Sequence, residues 1–139
     1  MNIIYKNQDG SVAVFTPTQE ALDQLKIEEI AQRVVPVNTE YQIVDPSAIP
    51  TDRTFRDAWE HNQDGINVNI EKAKEITHEK RRDKRADLFK QLDIEATIPM
   101  YADQAEAKRQ IIRDEFAAIQ TEIDNAETVD QLKEIITQL

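Results

Sequence analysis

Residues 2–15 read NIIYKNQDGSVAVF, and this stretch decides the fold. Asn2–Tyr5 and Ser11–Phe15 are short runs rich in Ile, Val, Tyr and Phe, separated by Lys6-Asn7-Gln8-Asp9-Gly10. Such side chains suit a half-buried pleated surface, and a glycine supplies the positive φ that a tight connection needs. The stretch predicts a β-hairpin turning at Gly10, whose apolar face must then be covered.

The residues that follow supply the cover. Thr16-Pro17-Thr18-Gln19 offers Thr as N-cap, Pro at the first helical position and Gln three residues after the cap, which is a helix start. Leu22, Leu25, Ile30 and Val34 give one helix an apolar side, and Pro36 ends it at or before Val35. Tyr41–Val44 reads as a third strand. Asp45-Pro46 and Ile49-Pro50 punctuate a loop, after which Asp52 is placed to cap a short helix through Trp59 with Phe55, Ala58 and Trp59 inward. The expectation is a small head in which one helix packs across a three-stranded sheet.

Beyond residue 65 the pattern changes. Both glycines and four of the five prolines lie before residue 66, and the remainder reads as helix. Charge shifts as well: residues 1–60 hold 5 basic and 10 acidic side chains, residues 61–90 hold 8 and 6, and residues 91–139 hold 4 and 11. The sequence therefore predicts an α+β chain with a head over 1–65 and a helical region over 66–139. In the second part Ile70, Ala73, Ile76 or Thr77, then Leu88, Phe89 and Leu92 mark a long helix whose middle, His78–Arg85, has no apolar residue and is expected to stay out of a dry core. Pro99 breaks the helix. Ile112, Phe116, Ile119, Ile123 and Ala126 then repeat at 4-3-4-3 spacing, the seam of a helix lying on another helix, so a helical hairpin is expected. Thr128-Val129-Asp130-Gln131 is a capping box, and Val129, Leu132, Ile136 and Leu139 stripe a short last helix.

The 139 residues include no cysteine, 17 basic and 27 acidic side chains, for a net charge of −10. Zero Cys excludes disulfides, thiolate zinc sites and cysteine nucleophiles. A strongly negative field repels phosphate backbones and anionic lipid, so neither nucleic acid nor membrane is an expected partner. No window approaches a membrane span, and MNIIYKNQDG has no apolar core of an export signal. Serine occurs only at 11 and 47, outside any nucleophile motif, and no glycine-rich phosphate loop is present. The two histidines, His61 and His78, are 17 positions apart and form no zinc motif; His78, among charges, is expected to be solvated. Carboxylates are so abundant that no pair singles itself out for acid/base work. The composition argues against an enzyme and against a bound cofactor.

Two segments draw attention as binding candidates. Glu60–Glu71 nearly matches a calcium loop, with Glu60, Asn62, Asp64 and Glu71 at ligand positions and Gly65 at the turn. Glu60 is too long for the first position, however, and Asn67 stands where an apolar residue belongs, so a polar linker is the preferred reading. Lys80–Arg85 packs five cations into six residues, with Asp83 among them and no interleaved aromatic. Arg81, Arg82 and Arg85 are therefore expected to form a solvated face or to meet an acidic protein surface, either this chain's own C-terminal helices or another copy's, rather than nucleic acid.

The segment Ile43–Glu60, IVDPSAIPTDRTFRDAWE, followed by Ile70–Arg82, IEKAKEITHEKRR, resembles small uncharacterised proteins of tailed bacteriophages encoded beside tail and tail-fibre genes. Arg53–Trp59 is the most specific part of that resemblance. Arg85, Leu88, Leu92, Asp93 and the later IIRDE at Ile111–Glu115 are similar to phage tail assembly chaperones. The resemblance implies a non-enzymatic virion or tail-assembly protein, residing in the virion or in the host cytoplasm during assembly. Its partners would be other phage structural proteins, tail or tail-fibre components among them; separately, the charge-only middle of the long helix and the amphipathic last helix point to contacts with other chains, so a homo-oligomer or a place in a larger assembly is expected. It supplies no catalytic residues. Phe55 and Trp59 then have two readings, as core clamps for the short helix or as a docking hot spot framed by Arg53 and Arg56. A DNA-mimicking regulator or host-factor inhibitor is the alternative. It would need unbroken rows of acids, and Lys108, Arg109 and Arg113 interrupt those between Asp103 and Glu134.

Overall fold

The computed structural model describes all 139 residues, and the chain divides into two compact units, Met1–Asn69 and Ile70–Leu139. The architecture is α+β, with a three-stranded sheet in the first unit and a helical hairpin plus a terminal helix in the second.

Strands β1 (Asn2–Lys6) and β2 (Val12–Phe15) form the expected hairpin, with Ile4 opposite Val14 and Lys6 opposite Val12. Its loop is self-contained. Gly10 takes φ +87°, and Asp9 Oδ1 accepts from both the backbone N–H and the hydroxyl of Ser11. Those two bonds hold the exposed Asp9 carboxyl below the usual carboxylate range. Strand β3 (Tyr41–Val44) adds antiparallel to the other side of β1, giving the order β2-β1-β3. Because facing residues of paired strands share a side, Ile3, Tyr5, Tyr41 and Ile43 point one way and Ile4, Val12 and Val14 the other. Asn2, Ile3 and Ile4 are all buried, so both sides of the central strand are covered.

Two short helices cover the first side, where a single one was expected. Helix α1 (Gln19–Gln24) is capped by Thr18, whose hydroxyl accepts from Ala21 N–H, so it starts two residues later than the Thr16-Pro17 reading placed it. The chain then goes extended at Leu25 and Lys26 before α2 (Ile27–Val34) begins. No Gly or Pro marks this break. The Glu29 carboxylate holds it by accepting from Lys26 N–H, and Leu22, Leu25 and Ile27 all turn onto Ile3, Ile30 and Ala31. Pro36 does end the second helix, at Val35.

The other side is covered by residues 52–68, and here the structure corrects two expectations. Asp52 caps a local turn by accepting from the N–H and hydroxyl of Thr54, and only Arg56–Ala58 winds into a single 3₁₀ turn in place of a helix through Trp59. The segment expected as a polar linker is a second β-hairpin. Strands β4 (Trp59–Asn62) and β5 (Gly65–Val68) pair antiparallel around Gln63-Asp64, with Gly65 at φ +109°. A side chain at Gly65 would meet open space, so its cost is the backbone conformation alone. Gln42 Nε2 donates to the carbonyls of Asn62 and Gln63, fastening this hairpin to β3. The first unit therefore runs to Asn69 and not to residue 65, because Gly65–Val68 is a strand of it.

In the second unit α3 (Ile70–Glu95) and α4 (Ala102–Asn125) are joined by a turn containing Pro99, and α5 (Val129–Gln138) follows. Arg109 bonds Asp93 near the turn, and Lys74 and His78 reach Asp124 at the far end, so the two long helices run antiparallel. The 4-3 seam is as expected: Phe116, Ile123 and Ala126 are buried, as is Ala105. Thr128 and Gln131 form the expected capping box, and α5 seats Leu132 inward against α3 and α4. No helix is long and apolar enough to cross a membrane.

Candidate functional site

Of the residues singled out in the first unit, the aromatics are structural. Phe55 is 1% exposed and Trp59 2%, so neither offers a docking surface; the 3₁₀ turn and β4 sink them into the layer beneath the sheet. Arg56 belongs with them. Its guanidinium lies 4.4 Å from the centre of the Trp59 ring and donates to the Val12 carbonyl at 2.6 Å, which joins the turn to β2. Arg53 alone of the four is exposed, and its carbonyl accepts from Arg56 N–H in the turn.

The calcium-loop candidates are not brought together as a loop. Glu60 lies in β4 and accepts from Asn69 Nδ2 at 2.7 Å, and Asn62 closes the β4–β5 turn by accepting from Asp64 N–H. Glu71 belongs to the second unit, in the first turn of α3 beside Lys74. A helix–loop–helix frame is replaced by strand–turn–strand, and no three His, Cys, Asp or Glu side chains gather as a metal-holding group.

The basic run is where the structure departs most from the expectation of a solvated helix middle. His78 is buried, and its Nε2 lies 2.9 Å from Asp124 Oδ1, the distance of a ring N–H donating to a carboxylate. The same Asp124 carries a main-chain carbonyl that accepts from Lys74 Nζ. Arg81, one turn on, is only 9% exposed, and its Nε has no partner. Burial, then the like charges of Arg82 and Arg85, push its guanidinium below the ordinary arginine value, and Asp124 opposes that shift. These side chains enter the interior because α3 has a buried stripe through Ala73, Thr77, Arg81 and Leu92, and helical spacing places position 81 on it whatever residue stands there.

Arg82 and Arg85 lie at the border of this stripe, with no carboxylate partner in their own chain. With Ala86 and Phe89 they line a hollow of about 360 Å³. Phe89 is the centre of a guanidinium cluster that the sequence reading missed. Arg85, Arg113 and Arg109 stand 5.0, 5.8 and 5.9 Å from its ring centre. Arg109 and Arg113 have carboxylates of their own, Asp93 and Glu106, at 2.6–3.0 Å. The Arg113 hydrogen bond, reinforced by the charges of Arg113 and Arg109, holds the Glu106 carboxyl below its usual range. A signal for this cluster existed: Phe89 follows Arg85 by four residues, and Arg109 and Arg113 are four apart on the partner helix.

The hairpin turn presents a second kind of surface. Ile94, Ile98, Met100 and Tyr101 are exposed there, Met100 by 82%. In chemical terms the helical unit offers unneutralised guanidinium beside an aromatic ring, and apolar side chains at its turn. Both suit recognition of another protein.

No protein-family model, curated protein or solved structure matches this chain.

Proposed function

We propose that this chain is a non-enzymatic structural or assembly component of a tailed bacteriophage, acting through protein–protein contacts with tail or tail-fibre proteins. The observation that carries the reading is the pair Arg82 and Arg85, two guanidiniums without an ion-pair partner in a chain of net charge −10. Acids are abundant, and yet these cations stay unpaired while Arg109 and Arg113 each find one. A carboxylate from another chain would complete them, and Phe89 beside them would add apolar burial to the charge pairing. The exposed apolar turn of the hairpin supports the same reading, since contiguous exposed apolar side chains mark contact surfaces. The phage assignment itself rests on the resemblance of Ile43–Glu60 and Ile70–Arg82.

The test is mass spectrometry of purified phage particles and of tail-assembly intermediates from the same infection. The expected result is peptides of this chain at fixed stoichiometry to the major tail protein in one of the two fractions. Expression during infection with absence from both overturns the proposal.

A further inference from the structure

We infer that the helical unit binds a second copy of itself head to tail, with Arg82, Arg85 and Phe89 of one copy seated on Glu122, Glu134 and Ile135 of the next. The inference rests on the proposed assembly role and names one contact within it.

Two hollows of similar size and opposite charge carry the argument. The basic one, about 360 Å³, is lined by Arg82, Arg85, Ala86 and Phe89 on α3. The acidic one, about 400 Å³, lies where α4 meets α5; its charged groups are Glu122 and Glu134, and Ala126 and Ile135 give it an apolar floor. None of the four charged side chains has an ion-pair partner within the chain. Each hollow thus offers two unpaired charges beside apolar surface, and the two sets match in number and are opposite in sign. Arg81 adds an independent sign that the basic side lacks something. A guanidinium 9% exposed with an unpartnered Nε, held below its ordinary pKa beside two like charges, is a group that an incoming carboxylate would relieve.

Geometry sets the kind of assembly. At ~100° per residue, Glu122 and Asn125 lie roughly 170° around α4 from Arg109 and Arg113, whose guanidiniums stand over Phe89. The acidic and basic hollows therefore occupy opposite sides of that helix. A contact between opposite sides cannot be its own mirror partner, so copies add in one direction and either close into a ring or continue as a stack.

Sedimentation velocity over a concentration series, at low and at high salt, tests this. The 139-residue chain is expected to rise above its 16.0 kDa monomer with concentration, and to fall back toward monomer as salt is raised. Arg82→Glu with Arg85→Glu, and separately Glu122→Arg with Glu134→Arg, should each weaken self-association about tenfold or more. All four positions are exposed or half-exposed, so circular dichroism should confirm that both variants remain folded. Mixing the two variants restores opposite charges at every contact and should restore assembly. A chain that stays monomeric throughout, an oligomer indifferent to both reversals, or a mixture that stays apart overturns the inference. A monomer nonetheless found in particles or assembly intermediates removes this contact and leaves the assembly role standing; an oligomer absent from both does the reverse.

Discussion

The two units bury different things at the middle of their elements. In the head, both sides of the central strand are filled with apolar side chains, and Ile3, Ile4, Val12 and Phe55 are all at most 1% exposed. In the helical unit the long helix passes Thr77, His78 and Arg81 through its buried stripe. A sheet covered on two faces has no place to send a long polar side chain. A helix seam does, because the flanks of the stripe are open and a long stem can lie in the seam with its head near the edge. The head's stability should then depend on volume, and the helical unit's on how its polar groups are paired.

The largest expected effect breaks the head. Phe55→Ala removes a nearly inaccessible ring and should cost about 3–5 kcal/mol, read as a lower denaturant midpoint for the near-ultraviolet signal of the adjacent Trp59. A loss under about 1 kcal/mol would mean that the layer beneath the sheet collapses to fill the space, and the contrast with the helical unit would weaken.

The second prediction tests the other side of the contrast. Arg81→Leu replaces a buried, incompletely bonded guanidinium with an apolar side chain in the same stripe, and should raise stability by about 1 kcal/mol or more. Truncating an interior residue destabilises the head, whereas removing one here stabilises. If Arg81→Leu instead destabilises, the guanidinium is paired in solution and the seam is not short of a partner. His78→Ala should go the opposite way, costing about 1–2 kcal/mol in chemical denaturation, because it removes the hydrogen bond to Asp124 and empties a buried position.

How much of this was legible in the chain follows the same line. The first hairpin, the stop at Pro36, the third strand, the Pro99 break, the 4-3 seam and the Thr128 cap all carry local signals, a glycine, a proline, a capping oxygen or a spacing. The break at Leu25–Lys26 carries none, since it is held by the Glu29 carboxylate and by core contacts made only after folding. The β4–β5 hairpin did leave a mark, Asp64-Gly65 ahead of alternating Ile66, Asn67 and Val68, but the calcium-like spacing of its acids drew the reading elsewhere. His78 was read by residue type as solvated, and Arg81 as part of a solvated face or of a contact with an acidic partner. Arg81 lies four residues after Thr77 and eight after Ala73, on the inward stripe, and spacing prevailed there because the packing of two helices fixes which positions face each other. Among the site residues, Arg82 and Arg85 were legible as charges seeking a partner. The spacing of Phe89 from Arg85 was a signal for the ring beneath that arginine, but its meeting with Arg109 and Arg113 was not legible, because those come from the second helix.

The smallest expected effect sharpens the comparison through pH. In the head, the depressed carboxyls Asp9 and Asp45 each serve a local loop, accepting from a serine two residues on. In the helical unit Glu106 ties together Arg109 and Arg113, and Arg109 also crosses to Asp93 on α3. Glu106 is held below its ordinary value of 4.5, so its folded form binds the proton less well than its unfolded form does. Such a group contributes stability above the unfolded-state value, and the contribution is lost as pH falls through the folded-state value. Glu106→Gln should therefore lower the melting temperature at pH 7 by roughly one degree, an exposed pair being weak, and the gap from the parent chain should close as the pH is taken below the carboxylate range. The same gap should shrink in high salt at pH 7, because the pair is open to solvent. For Asp9→Asn the salt dependence should be absent, since Asp9 is held by neutral Ser11 donors rather than by a cation. A Glu106→Gln gap that persists unchanged at acid pH would mean that Glu106 matters for its shape in the helix and not for its charge.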